Sequence, residues 1–459
     1  MVAGEGHVGG LIGGDFWIGD SSQATTSHCC FLDPNEGGGP DNGLGQYLSA
    51  AQMAVADNFV GWDFIERTSD GIANTWSLPD GAPYPLPSAL KTDLLPELEG
   101  RGTSDSPYLI RSIADFCAMS RHPSACYRLD ADLDLGGARQ NCPPIPLLVG
   151  HFDGGGHSIT GLSLTHPCYG GLFGVVHSSA SIRDLTVVDA NITGMEEDYA
   201  MGILAGVNQG DITNCHVQGR VRGNKCLGGL AGVCFGPLNV SRCTAVVSII
   251  RVPVPMAGGG YVGGLVGWSD ATAYSDCCAS ATIAGGDRFW GAGGVAGCMC
   301  IGAISRCFTL GSISAGQEAA SLGGLAGVAY EVTIRNCYAG VDITTGVKAR
   351  YIAGLVANPY GGATMGGPIE YCYSRGAICV GEGSEDIQGF VAHGSTPKSC
   401  FWDAQTSGIQ VSSFGTGLPT AVMQKGQTYK QAGWDFTNTW SICDGKDYPR
   451  LRWEQVECE

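Results

Sequence analysis

The chain is poor in charge. Only 15% of its 459 residues are Asp, Glu, Lys or Arg, and basic side chains are outnumbered 25 to 43. The net charge of −18 argues against nucleic acid or an anionic membrane surface as a partner, because both select basic faces. Long apolar runs are also missing. None approaches the ~18 residues of a membrane span, so membrane insertion is not expected. The opening Met1-Val2-Ala3-Gly4-Glu5-Gly6 lacks the basic region and apolar core of a signal peptide. The protein is therefore expected either to stay inside or to be a piece of a longer exported chain. None of the nine histidines precedes a glutamate, which excludes a His-Glu-x-x-His metallopeptidase centre. A Gly-x-x-x-x-Gly-Lys-Ser/Thr loop and a Gly-x-Ser-x-Gly elbow are absent too. Gly258-x-Gly260-x-x-Gly263 matches a dinucleotide pattern but lacks the strand-to-helix setting that gives it meaning.

Glycine is abundant, at 73 residues, about twice the usual ~7% and without collagen's period of three. Its placement is periodic. Gly263-Gly264-Leu265-Val266-Gly267, Gly293-Gly294-Val295-Ala296-Gly297, Gly323-Gly324-Leu325-Ala326-Gly327 and Ala353-Gly354-Leu355-Val356-Ala357 follow one another at steps of 30 residues. Cys277, Cys307 and Cys337 form a second column in the same phase, and Ile283, Ile313 and Ile343 a third. Such a period with several columns in register marks a repeat architecture. The segments between columns are short, alternating and rich in Val, Ile, Thr, Tyr and Cys, which is strand chemistry bounded by turns. No segment holds a 3.6-residue period long enough for a helix. Three strands fit one repeat, so the expected fold is all-β: a right-handed parallel β-solenoid with coils of about 30 residues and identical positions stacked in ladders.

The 21 cysteines cannot all pair. Those in the column (Cys215, Cys243, Cys277, Cys307, Cys337, Cys372, Cys400) are expected to be buried, reduced and inert, since parallel Cβ vectors suit a disulfide poorly. Cys117, Cys126, Cys142, Cys168, Cys443 and Cys458 are better disulfide candidates, with connectivity open.

The two ends of the chain carry the same order of motifs. Cys30-Phe31-Leu32-Asp33, Gly61-Trp62-Asp63-Phe64, Thr75-Trp76-Ser77 and Tyr84-Pro85 are matched by Cys400-Phe401-Trp402-Asp403, Gly433-Trp434-Asp435-Phe436, Thr439-Trp440-Ser441 and Tyr448-Pro449. Residues 1–86 are therefore read as the last coil and aromatic-rich cap of a preceding solenoid module, and 87–107 as a linker. Residues 108–165 start a second module, 166–400 form its repeats and 401–459 its C-terminal cap. Ile113–Met119 is expected to be a short helix with Phe116 inward. Tyr127 to Leu135 alternates as a strand. Phe152 to Ile159 reads as strand, tight turn, strand.

The Gly-Gly-Leu-Val-Gly motif, the Asn336-Cys337-Tyr338 element and the Trp-Asp-Phe/Tyr-Pro tail together resemble the GLUG-motif repeat proteins of bacteria. Asp132-Leu133-Asp134-Leu135 and Phe152-Asp153-Gly154-Gly155-Gly156-His157 are similar to the opening of such modules. The resemblance implies a secreted or surface-attached, adhesin-like β-solenoid, in a family with members attached to zinc metallopeptidases that cleave immunoglobulin A. An extracellular or cell-surface location follows from the resemblance alone.

Side chains that suggest chemistry have plainer readings. Asp130, Asp132 and Asp134 offer carboxylates on one strand face, but a calcium cage needs about 6–8 convergent oxygens. Asp153 with His157 would suit acid/base work, yet the glycines between them read as a turn and no second carboxylate converges. Cys298-x-Cys300 beside Cys277-Cys278 lacks the usual Cys-x₂₋₄-Cys spacing of a zinc site. Trp62, Trp434, Trp440 and Trp453 read as cap core rather than a sugar platform. The expectation is thus a chain that is not an enzyme, with no catalytic residues, no cofactor and no metal. It would be an extracellular scaffold whose partner is a host or environmental glycan or protein, contacted by loops at 251–260 and 359–368. A solenoid carbohydrate-active lyase or hydrolase, and a self-associating filament protein, are the alternatives.

Overall fold

The computed structural model describes residues 30–32, 46–59, 76–77, 86–87, 96–136, 145–165, 169–194, 198–252, 260–358, 367–392 and 397–458. The chain forms two compact units that divide between Leu95 and Pro96, inside the expected linker.

The second unit is the expected β-solenoid. One coil shows how it is built. A short strand, Ala320–Gly323, leads through Gly324-Leu325 into a long strand, Ala326–Arg335, and then a third, Tyr338–Thr344. Each pairs in parallel with its equivalents one coil before and after: Leu322 with Ala292 and Ile352, Ile334 with Ile304, and Ile343 with Ile313 and Ile378. The short strands form an eight-stranded sheet from Tyr169–Gly170 to Glu385–Gln388. Leu265, Val295, Leu325 and Leu355 are fully buried, as are Ile283, Ile313 and Ile343 to within 1%. Both expected ladders therefore run up the interior.

The glycine pair is set by backbone crowding between coils. A Cβ on Gly324 would lie 2.1 Å from the Gly354 carbonyl oxygen, and one on Gly264 would lie 2.2 Å from that of Gly294. Rigid backbone cannot yield at such distances, so the coil-to-coil spacing requires glycine. The corner between the long and third strands has a different solution. Asp184, Asn214, Arg242, Asp276, Arg306, Asn336, Tyr371 and Ser399 all hold φ between 49° and 55°, the left-handed region that most L-residues avoid. Neighbouring coils stabilise them: Arg306 N–H donates to the Arg335 carbonyl (3.0 Å) and Asn336 N–H to that of Glu370 (3.0 Å).

The cysteine that follows each of these residues from Asn214 onward is buried and free. Its sulfur has a polar role besides filling space. The Cys277 amide donates to Cys307 Sγ (3.4 Å), and Cys277 Sγ donates to the Ser275 (3.2 Å) and Val240 (3.4 Å) carbonyls. The same exchange links Cys307 to Cys337 and Cys337 to Cys372. Burial pushes the Cys243, Cys277, Cys307 and Cys372 thiols well above their ordinary range. Of the off-column cysteines, Cys443 and Cys458 are joined in a disulfide, Cys117 is also disulfide-bonded, and Cys126 is free. Cys142 and Cys168 lie outside the described residues.

At the N-terminal end of this unit, the helix Ile113–Ala118 is capped by the Ser112 side chain and buries Phe116. The stretch from Tyr127 to Leu135 is not one strand. It breaks into Tyr127–Leu129 and Leu133–Asp134, because residues 130–132 form the corner of the opening coil. At the other end, Phe401–Asp403 and Thr416–Leu418 add two further rungs to the third-strand sheet. The residues that follow pack Tyr429, Trp434, Trp440, Tyr448 and Leu451 against Tyr338, Tyr373 and Phe401. Trp434 and Trp440 are core, as expected, and Trp453 is partly buried against the same cluster. This segment lies along the outer face of the third-strand sheet, where Trp453 Nε1 donates to the Arg306 carbonyl (2.9 Å) and Tyr373 Oη donates to that of Pro449 (2.6 Å).

In the first unit, Cys30–Leu32 pairs in parallel with Gln46–Leu48, a helix spans Ala50–Met53, and Trp76–Ser77 runs antiparallel to Leu86–Pro87. The C-terminal segment has the same order: Phe401–Asp403 parallel to Thr416–Leu418, a helix at Thr420–Met423, and Trp440–Ser441 antiparallel to Arg450–Leu451. Trp62 lies outside the described residues.

Candidate functional site

The opening coils carry an open cleft of about 470 Å³ lined by Ser104, Asp105, Arg128, His151, Asp153, Ser181 and Arg183, with Tyr127 and Phe152 in its wall. Strand alternation explains its polar lining. In His151–Asp153 the middle residue, Phe152, is buried while its neighbours face outward, and in Ser181–Arg183 Ile182 does the same. Parallel register then sets Ser181 beside His151 and Arg183 beside Asp153. Ser181 Oγ lies 2.9 Å from His151 Nδ1, and Arg183 donates to Asp153 Oδ2 at 2.7 Å. With the ring proton on Nε2, Nδ1 accepts the Ser181 hydroxyl, which is the geometry of a nucleophile beside a base. The Arg183 guanidinium adds a fixed positive charge on the same surface.

The structure separates the pair that sequence spacing suggested. Asp153 turns to Arg183 and to the Gly155 amide (2.9 Å), whereas His157 Nδ1 lies 3.4 Å from Asp132. The intervening glycines form the corner, with Gly155 at φ 60° and Gly156 at φ 81°. The partner of Asp153 comes instead from 30 residues downstream. Sequence reasoning missed His151, Ser181 and Arg183. The 30-residue step that places His151 on Ser181 and Asp153 on Arg183 was the available signal.

The three aspartates do not converge either. Asp130 pairs with Arg111 (2.8 Å), Asp132 accepts from the Ser158 amide (2.7 Å) and hydroxyl (3.1 Å), and Asp134 accepts from the Gly136 amide (2.8 Å). The two Ser158 hydrogen bonds hold Asp132 below the ordinary carboxylate range. Among the described residues, no three His, Cys, Asp or Glu side chains gather at one point to ligate a metal. Cys277 belongs to the buried ladder on another face from Cys298 and Cys300. Most of the two loops expected to contact a partner, 253–259 and 359–366, lies outside the described residues. No helix among the described residues is long and apolar enough to cross a membrane.

No protein-family model matches the chain, so the GLUG resemblance rests on the motifs quoted above. Two curated relatives match parts of it. Halomucin of Haloquadratum walsbyi is 28% identical over 191 residues, 39% of this chain and 2% of the relative. A candidate Gly-rich membrane protein of Evansella cellulosilytica is 32% identical over 133 residues, 26% of this chain and 15% of the relative. The chain thus spans a small fraction of the relatives it matches. Among solved structures, a candidate immunoglobulin A1 protease from Bacteroides ovatus is 21% identical and covers 77% of this chain and 94% of its own, with a TM-score of 0.45. A structure described as an IgA1 protease is 16% identical and covers 58% of this chain and 21% of its own, with a TM-score of 0.38. The likeness is one of fold. Even so, both neighbours are described as proteases, which are enzymes, and the expectation that the chain is not an enzyme is corrected on that finding.

Proposed function

We propose that the chain is a β-solenoid segment of a longer cell-surface or secreted enzyme, and that the opening-coil cleft takes up an extended polymer, a glycan or a polypeptide. The observation that carries this reading is the 2.9 Å contact between Ser181 Oγ and His151 Nδ1, held in an open cleft beside the Asp153–Arg183 pair. Hydrolysis of such a polymer needs a base to activate a hydroxyl or water and a positive charge where anionic character develops. His151 supplies the base and Arg183 the charge, with Asp153 positioning Arg183. The rigid parallel ladder beneath them supplies preorganisation.

The surrounding chain supports the same reading. It matches short stretches of much longer proteins, one of them named as a membrane protein. On this reading residues 1–86 end a preceding module, so the cleft is one station on an extended array. The test is a footprint: hydrogen exchange of the purified chain with and without panels of oligosaccharides and peptides. Slowed exchange at 151–153 and 181–183 that disappears in Arg183→Ala is expected. Binding footprints confined to other surfaces, or unchanged by Arg183→Ala, would overturn the proposal.

A further inference from the structure

Cys298 and Cys300 stand apart from the cysteine ladder of the corners. They lie two residues apart on one long strand, and their sulfurs face the same side 4.0 Å apart. They belong to a second, smaller apolar cluster outside the interior ladders, together with buried Trp268 and Cys226 and partly buried Tyr261 and Trp290. Cys298 is 3% exposed and Cys300 is partly exposed, so the pair spans the edge of this apolar cluster, one residue inside it and one at its surface. Met299 between them is fully buried and points the other way, as strand alternation requires.

We propose that Cys298 and Cys300 form a two-thiolate clamp for a soft monovalent d¹⁰ cation of the Cu(I) class. Three features carry this. A near-linear ion with metal–sulfur bonds of about 2.3 Å needs its two sulfurs about 4.6 Å apart, a small opening from the observed 4.0 Å. A disulfide, by contrast, needs the sulfurs at about 2.05 Å. Their strand is paired along both edges, with Trp268 and Val328 flanking Cys298 and Asp270 and Tyr330 flanking Cys300, and resists the bend this would require. Finally, the described residues supply no third His, Cys, Asp or Glu at one point. Zinc asks for four donors, whereas a soft monovalent ion is satisfied by two thiolates.

Tyr261 and Trp290, whose rings lie 5.1 Å apart, pack in the same cluster and help to bury Cys298. Cys300, the more exposed of the two, is the sulfur an incoming ion meets first. Binding then replaces the two thiol protons with one cation and releases both protons to solvent, with no change in oxidation state.

The test uses the full chain, reduced and kept anaerobic, titrated with Cu(I) in competition with bicinchoninate. One tight equivalent is expected. Cys300→Ser and Cys298→Ser should each remove it, and Cys379→Ser, at an exposed cysteine elsewhere, should leave it. Because Cys298 is buried and its substitution perturbs packing, selective alkylation of Cys300 in the wild-type chain is the second arm and should also remove the equivalent. An unchanged stoichiometry after both Cys300→Ser and alkylation would overturn the proposal. So would mass spectrometry showing a Cys298–Cys300 disulfide in the untreated protein.

Discussion

Tyr338 and Tyr373, 35 residues apart, stack with ring centroids 5.0 Å apart and planes 7° from parallel. Phe308 extends the stack on one side, at 5.0 Å and 3°, and Tyr448 on the other, at 6.0 Å and 6°. Three of these rings come from successive coils, and the fourth comes from the terminal segment. The stack is thus the seam by which that segment attaches to the solenoid. Asp403 sits beside it, accepting from the Tyr448 hydroxyl (2.6 Å) and the Thr420 hydroxyl (2.7 Å).

Trp440 is fully buried in this seam, so Trp440→Ala should cost about 3–5 kcal/mol. Chemical denaturation should show the loss, and proteolysis should release the terminal segment before the coils. A variant as stable as the parent would mean that the segment is an appendage and not part of the cooperative unit.

Cys337→Ala should cost about 1 kcal/mol, from a small cavity and the lost acceptor for the Cys307 amide. Cys337→Asp should cost far more, because it buries a charge. In native buffer Cys277, Cys307 and Cys337 should resist alkylation that modifies exposed Cys379. Rapid labelling of the ladder under those conditions would contradict its burial.

The fold was legible because repetition made it so. Leu265, Val295, Leu325 and Leu355 share a phase, and any fold that kept them in phase had to stack them. What repetition hides is the reason for a residue type. Cysteine reads as a small apolar filler, and only the folded structure shows its sulfur serving the corner amides. The candidate site was less legible because its partners come from different coils. His151 and Ser181 are 30 residues apart, and only Ser181 follows a copy of the glycine motif, at Gly170-Gly171-Leu172-Phe173-Gly174. Near neighbours in sequence, Asp153 and His157, are turned apart by the Gly154-Gly155-Gly156 corner.

Gly324→Val should prevent correct stacking. Its Cβ would meet the Gly354 carbonyl oxygen at 2.1 Å, and neither group can move without breaking a coil-to-coil hydrogen bond. The expected loss is on the order of 4 kcal/mol or more, seen as aggregation or a strongly lowered melting temperature. A soluble variant of unchanged stability would remove backbone crowding as the reason for the glycine column.

Acid should loosen the opening coil. Asp132 is held below the ordinary carboxylate range by the Ser158 hydrogen bonds. A depressed folded value means that this stabilisation is fully present above the unfolded pKa of about 3.9 and is lost as pH falls through the folded value. Hydrogen exchange at Ser158–Thr160 should therefore accelerate below that range, and Asp132→Asn should abolish the dependence. Exchange there that is insensitive to pH after correction for intrinsic rates would contradict the assignment.

The central claim, that the opening-coil cleft acts on a polymer, is tested most directly by turnover. Wild type, Ser181→Ala and His151→Ala would be screened for depolymerisation of polysaccharides and hydrolysis of peptides, with melting temperatures measured in parallel. The account predicts turnover by the wild type that falls by about 10²-fold or more in each variant while the melting temperature stays unchanged. Turnover that both substitutions leave intact, or none by the wild type on any substrate to which it binds, would contradict it.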